Sequence, residues 1–188
     1  MTELDLTPSQ TVGPYLRIGL LGGPITNHLV EASDPRAIRI RGALLDSAEA
    51  PVPDGMVEIW QANATGRYAH SADDRDEVAL EAGFTGFGRS GTEDEGRFEF
   101  VTVKPGRVPW TDGRLQAPHL LVGVFARGLL KRLTTRMYFP DEAEANAEDP
   151  VLLGLEPEQR ATLIAREEDG LRFDVVLQGD RQTTFFAV

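Results

Sequence analysis

Cysteine is absent from the 188 residues of this chain. Disulfides, thiolate nucleophiles and cysteine-ligated zinc or iron–sulfur centres are thereby excluded, and the composition fits a reducing compartment. Lysine is nearly absent too: of 19 basic residues only Lys104 and Lys131 are lysines. The positive charge is therefore almost all guanidinium, which reflects either coding bias or a use for planar, bidentate carboxylate recognition. No apolar run approaches the roughly 18 residues a membrane span needs. Met1-Thr2-Glu3-Leu4-Asp5 has neither the basic start nor the apolar stretch of a secretory signal, so a cytoplasmic location is expected. Against 30 acidic residues the basic set leaves a net charge of −11, which disfavours nucleic acid or an anionic membrane as partner. An anionic small substrate would need local cations.

What is present suits one buried core. A hydrophobic content of 41% over this length predicts a single domain, residues 1–188. Thr7-Pro8-Ser9-Gln10-Thr11-Val12-Gly13-Pro14-Tyr15 has two prolines, a glycine and no period. It reads as an arm, residues 1–15, that either docks on a partner or frays. From Leu16 to Pro35 the Gly-rich pattern assigns no element. Ile38 and Ile40 alternate with Arg39 and Arg41, which predicts a half-buried strand over 37–44. Further strands are expected at 56–61, 86–89, 97–103, 119–126, 132–139, 171–178 and 183–187. Glu93-Asp94-Glu95-Gly96 marks a hairpin between the third and fourth. Helices are expected at Asp141–Glu148 and Pro157–Arg166, the second with Pro157 in its first turn and Leu163-Ile164 on its apolar face. Asn63-Ala64-Thr65 reads as turn chemistry, and the polar 69–81 segment as a functional or mobile loop. Many short strands between Gly/Pro/Asp turns, with little helix, predict an all-β antiparallel sandwich with short peripheral helices.

Chemistry-bearing residues are few. His28, His70 and His119 are too far apart in sequence for a local ligand pair. In the strand His119-Leu120-Leu121, residues i and i+2 share a face, so a second histidine at 121 would aim two imidazoles at one metal. Leu121 stands there instead. No G-x-S-x-G occurs. Asp73, Asp74, Asp76 and Glu77 beside His70 either form a cation or acid–base cluster or simply a solvated loop. Gly83, Gly86 and Gly88 lack the strand–turn–helix setting of a phosphate loop. Among Arg127, Lys131, Arg132 and Arg136, the last sits in mid-strand, where a guanidinium either pairs with a carboxylate across the sheet or lines a site.

Several stretches in order along nearly the whole chain resemble the intradiol ring-cleaving dioxygenases. They are Ser9-Gln10-Thr11-Val12-Gly13-Pro14-Tyr15, Val57-Glu58-Ile59-Trp60-Gln61-Ala62-Asn63 with Gly66-Arg67-Tyr68, Phe87-Gly88-Arg89, Val103-Lys104-Pro105-Gly106, Ala117-Pro118-His119, Phe125-Ala126-Arg127-Gly128, Thr135-Arg136-Met137-Tyr138-Phe139 and Arg172-Phe173-Asp174. Catalytic chains of that family hold ferric ion with two tyrosinates and a His-x-His pair preceded by an arginine. The corresponding positions here read Asp76 or a neighbour, Val108, His119 and Leu121, with Gln116 near the place of the arginine. The resemblance implies that this chain binds no iron of its own, because one imidazole cannot retain ferric ion or balance its charge.

Some members of the family pair such an α chain with a homologous β chain that keeps all four ligands. The resemblance then implies a supporting α subunit in a hetero-oligomer, with Fe(3+) in the partner β subunit and 3,4-dihydroxybenzoate and O2 as substrates. Thr11, Gly13, Pro14 and Tyr15 of the arm would wall the partner's pocket, and Arg136 would reach the substrate carboxylate. The competing reading is a stand-alone β-sandwich module that binds a ligand or protein without catalysis. A catechol-cleaving homodimer fails on its ligands, since it would need tyrosines at Asp76 and Val108.

Overall fold

The computed structural model describes residues 7–187. Two sheets face each other. One has the order β4-β1-β8-β7, built from Arg97–Val103 (β4), Ala37–Leu45 (β1), Leu171–Arg172 (β8) and Arg166–Glu167 (β7), with Val175–Val176 (β9) also on β1. The other has the order β3-β2-β5-β6, built from Phe87–Gly91 (β3), Met56–Trp60 (β2), His119–Phe125 (β5) and Leu133–Tyr138 (β6), all antiparallel. Period-2 alternation explains the core. Ile40 and Leu44, Phe98 and Phe100, Val57 and Ile59, Leu120, Val122 and Val124, and Met137 turn inward into one cluster. The buried Gln61 ties the layers: its amide donates to the Val103 carbonyl, and its oxygen accepts from Thr102, at 2.8 and 2.7 Å. The expected sandwich is thus present, although β8 and β9 join β1 in parallel rather than antiparallel register.

Several elements differ from the sequence reading. The 93–96 turn makes no hairpin, because β3 belongs to one sheet and β4 to the other; the chain crosses the sandwich there. The second expected helix stops at Ala161 (α3, Pro157–Ala161). Leu163 and Ala165 instead exchange backbone bonds with Tyr138 at 2.8 and 3.0 Å, so the apolar pair serves the edge of β6. The first helix is α2, Ala143–Glu148, followed by a 3-10 turn at Leu152–Gly154. The 171–178 strand is broken at Phe173-Asp174, where the Asp174 carboxylate takes the place of a ladder partner by accepting from Ala43 N at 2.9 Å. Residues 183–187 give only the single bridge Thr134↔Phe186.

The unassigned stretch after the arm contains a helix, Pro14–Leu21 (α1), so Pro14 and Tyr15 of the expected arm are helical. Residues 7–13 carry no regular structure, and 1–6 of the expected arm lie outside the described residues. Helix α1 lies on β3: a side chain at Gly91 would meet Leu21 and Arg17 within 3 Å. No described helix is long and apolar enough to cross a membrane.

Candidate functional site

The site lies on the outer face of the four-stranded sheet. Trp60 pairs with Leu121 and Leu121 with Arg136, so these three form one row across β2, β5 and β6. Each is half-buried, while their neighbours in sequence point into the core. The row is roofed by two loops that two glycines bring together. Gly66 has φ +85°, and a Cβ on it would sit 2.2 Å from the Arg107 carbonyl; one on Gly106 would sit 2.6 Å from Gly66 N. Only glycine permits that approach, and it places Tyr68 and Val108 on the same cavity wall. Asn63 organises the first loop by accepting from Thr65 N and Arg67 N at 3.1 and 2.9 Å, as expected of turn chemistry.

The cavity measures about 340 Å³ and is walled chiefly by Trp60, Tyr68, His70, Val108 and Gln116. Trp60 and Tyr68 rings lie 4.7 Å apart with a 43° tilt, and His70 meets Trp60 edge-on at 6.0 Å. Just behind this wall Arg136 Nη1 donates to Gln116 Oε1 at 2.8 Å and to the Tyr138 hydroxyl at 3.1 Å. Neither acceptor is a carboxylate, so the cross-sheet ion pair considered for Arg136 is not what holds it. The Tyr138 hydroxyl donates in turn to the fully buried Asp149 at 3.2 Å. Burial pushes the Tyr68 and Tyr138 hydroxyls upward in pKa, with the Arg136 charge opposing in both cases.

Asp149 is the residue that sequence reading missed. Its Oδ1 also accepts from Val151 N and Leu152 N at 2.8 and 2.9 Å, and its Oδ2 from Ala117 N at 2.8 Å. It thus caps the 3-10 turn while pinning the start of β5. An Asp directly after a helix and before Pro150 was the available signal. In Asp149→Asn the amide has to face either Ala117 N or the Oδ1 donors, leaving a buried N–H unpaired. A loss of about 1–2 kcal/mol in urea unfolding is expected; an unchanged midpoint would mean that water enters and repairs the bond.

The metal-ligand positions do not fit iron. Val108 and Leu121 offer no donor atom. Asp76 is exposed and paired with Arg67 at 3.0 Å. His119 is 4% exposed, with Nδ1 on the Ala117 carbonyl at 2.8 Å. Its imidazole is held down to about 4, first by burial and then by Arg136, which favours the neutral ring. Nor does the acidic loop gather as a cluster: Asp73 pairs with Arg75, and among the described residues no group of three or more His, Asp or Glu converges as a metal site.

Arg136 and the arm residues lie apart along the sheet. Thr11 accepts from Gly128 N at 2.7 Å, which sets the arm beside the loop joining β5 to β6. Arg136 is opposite Leu121, and from Leu121 to the end of β5 at Phe125 is roughly 13 Å at ~3.3 Å per residue. Arg127, next to Gly128, is one cation beside the arm. It is largely exposed and makes only a loose 3.6 Å pair with Asp54. Thr11, Gly13, Pro14 and Tyr15 are exposed as well. Helix α1 was legible in principle: Pro14 at its first position, Leu16 and Leu20 four apart, and Gly22-Gly23 as a stop.

A family model described as dioxygenase matches residues 22–179. The chain is 43% identical to a protocatechuate 3,4-dioxygenase alpha chain of Pseudomonas putida, over 97% of this chain and 96% of that one. It is 42% identical over the full length of both to the alpha chain of Burkholderia cepacia, and 38% identical to the beta chain of that organism over 86% of this chain and 74% of the other. Among solved structures, the dioxygenase domain of a dioxygenase–carbohydrate-binding fusion from Streptomyces sp. SirexAA-E matches with TM-score 0.60 and 27% identity, over 93% of this chain and 99% of that one. Catechol 1,2-dioxygenase from Acinetobacter sp. ADP1, at 20% identity, TM-score 0.59 and coverage of 79% and 55%, shares the fold.

Proposed function

The chain belongs to the intradiol dioxygenase family, and from that premise we propose that it is the α subunit of a protocatechuate 3,4-dioxygenase, inactive alone. Its partner is a homologous β subunit that holds Fe(3+) and cleaves 3,4-dihydroxybenzoate with O2 to 3-carboxy-cis,cis-muconate in the cytoplasm. The observation that carries the reading is a complete family scaffold whose ligand positions present Val108 and Leu121. A donor set of one buried imidazole neither retains a ferric ion nor balances its charge. What remains for the chain to contribute is an edge: Thr11, Gly13, Pro14 and Tyr15, followed by Arg127, form an exposed corner that supplies a wall and a cation to the partner's pocket.

The experiment is co-expression with a homologous β chain that keeps all four iron ligands. The two are expected to purify together as a coloured iron complex, and this chain alone as a colourless protein without stoichiometric iron. Leu121→His is not expected to restore iron, because Asp76 and Val108 leave both phenolate positions without a tyrosine. About one iron per isolated chain, with visible charge-transfer colour, would overturn the reading. A stand-alone binding module would instead purify complete, and fail to associate.

Deleting residues 1–12 is expected to lower kcat/KM of the complex severalfold while leaving the melting temperature of this domain nearly unchanged. Residues 7–11 are exposed, and the described side-chain tie from this stretch to the body is the Thr11–Gly128 bond. An equal loss of domain stability would show that the arm serves its own fold.

A further inference from the structure

We propose that the segment Thr26-Asn27-His28-Leu29 is a strap that keeps β4 from pairing with the β4 of a second copy of this chain. β4 lies at the end of its sheet, and an edge strand presents amides and carbonyls that template another strand. Its residues, Arg97-Phe98-Glu99-Phe100-Val101-Thr102-Val103, include no proline or glycine, and Arg97 and Glu99 cancel in charge. Aromatic and β-branched side chains fill the other positions. That is the composition of segments that stack between chains. The net charge of −11, which holds copies of the chain apart, is carried elsewhere.

The outward groups of β4 are nonetheless occupied. The carbonyls of Arg97, Glu99, Val101 and Val103 accept from Glu93 N at 3.0 Å, Asn27 Nδ2 at 3.0 Å, Leu29 N at 2.8 Å and Gln61 Nε2 at 2.8 Å. The Glu99 amide donates to Ser90 Oγ at 3.3 Å and the Val101 amide to the Asn27 carbonyl at 2.9 Å. Asn27 is the centre of the strap. Its main chain takes the Val101 amide, and its side-chain amide stands in for the backbone N–H that a neighbouring strand would bring to Glu99. On the other side the Thr26 carbonyl accepts from Arg89 N of β3 at 3.0 Å, so one short segment covers an edge strand of each sheet.

The strap is lightly anchored. Thr26 and His28 are exposed, Gly22-Gly23-Pro24 precede them, and the apolar anchor within the segment is Leu29, packed against the core. Gly88 makes room for it: a Cβ there would lie 2.5 Å from Leu29 Cδ1 and 3.0 Å from the Thr26 carbonyl. The edge at β6 is covered differently, by two separate segments that bridge it at Thr134↔Phe186 and Tyr138↔Ile164, and β7 offers only two residues. β4 is therefore the long edge whose cover can open while the core stays folded.

The test follows loss of soluble full-length chain by size exclusion below its melting range. Asn27→Ala is expected to be lost about fivefold faster than the parent or more, the worth of one hydrogen bond. Val122→Ala, which hollows the core and leaves the strap in place, is expected to be lost no faster than the parent. A peptide of the Arg97–Val103 sequence with alternate N-methyl groups, able to pair along one edge only, is expected to suppress the loss of Asn27→Ala, and a scrambled peptide to leave it unchanged. Equal rates for Asn27→Ala and the parent, a Val122→Ala rate that matches Asn27→Ala, or indifference to the N-methylated peptide would each overturn the proposal. If Asn27→Ala does not fold, hydrogen exchange of the parent in mild urea decides. The Val101 amide, held by the strap, is expected to exchange roughly tenfold faster or more than that of Phe100, which pairs with Ile40 of β1. Equal exchange at the two amides would mean that the strap opens only when the whole domain unfolds, and the proposal fails.

Discussion

Arg127→Ala in the α–β complex is expected to raise KM for 3,4-dihydroxybenzoate by roughly 10- to 150-fold, the equivalent of one charge-assisted hydrogen bond worth about 1.5–3 kcal/mol. The reasoning is electrostatic. The substrate is an anion approaching a chain of net charge −11, so a fixed local cation is needed to hold it. Arg127 stands beside the arm and, among the described residues, is engaged only by an exposed 3.6 Å contact with Asp54, a pairing that contributes little and yields easily. Iron content and colour of the complex should stay as they are, kcat should change less than KM, and catechol, which has no carboxylate, should be nearly indifferent. Arg136→Ala is the informative companion. If it raises the substrate KM and Arg127→Ala does not, the arm and the carboxylate are read by different parts of the chain, and the corner at Gly128 is only a tether.

The strands that build the sandwich were legible because alternation is a local signal: Ile38 and Ile40 against Arg39 and Arg41, or Leu133, Thr135 and Met137 against Thr134 and Arg136, declare their faces without any knowledge of the partner strand. Which sheet a strand joins is not local. The Glu93–Gly96 turn has hairpin composition, yet it carries the chain across the sandwich, and nothing in its residues distinguishes the two outcomes. Leu163 and Ile164 misled for a related reason, since two adjacent apolar residues suit a helix face as well as a strand edge. Within the site, the missing donors at Val108 and Leu121 could be read directly. The separation of Arg136 from the arm could not, because it depends on the register of β5 with β6 and on where Thr11 meets Gly128.

That register also makes His119 a pH-sensitive part of the fold. Opposite Tyr138 and buried, it donates from Nδ1 to the Ala117 carbonyl as a neutral ring, and burial and Arg136 together hold it down to about 4. In the unfolded chain an imidazole titrates near ~6.5. As pH falls below that value the unfolded state takes up a proton that the folded state refuses, so stability is complete above the unfolded pKa and is lost progressively until the folded ring titrates as well. At ~1.4 kcal/mol for each tenfold difference in proton affinity, the expected loss between pH 6.5 and 4 is about 3 kcal/mol. The acids held low, Asp34 and Asp73 at about 2, give up their share from the ordinary carboxylate range near ~4 downward, so their window opens where that of His119 closes. Urea unfolding from pH 7.5 to 4.5 should therefore show a decline that His119→Gln flattens, whatever that variant costs at neutral pH. Arg136→Gln should move the lower end of the window upward, because it removes a charge that opposes protonation. Parallel profiles for His119→Gln and the parent would mean that the ring protonates inside the fold, and that the wall around it opens to water far more readily than its 4% exposure implies.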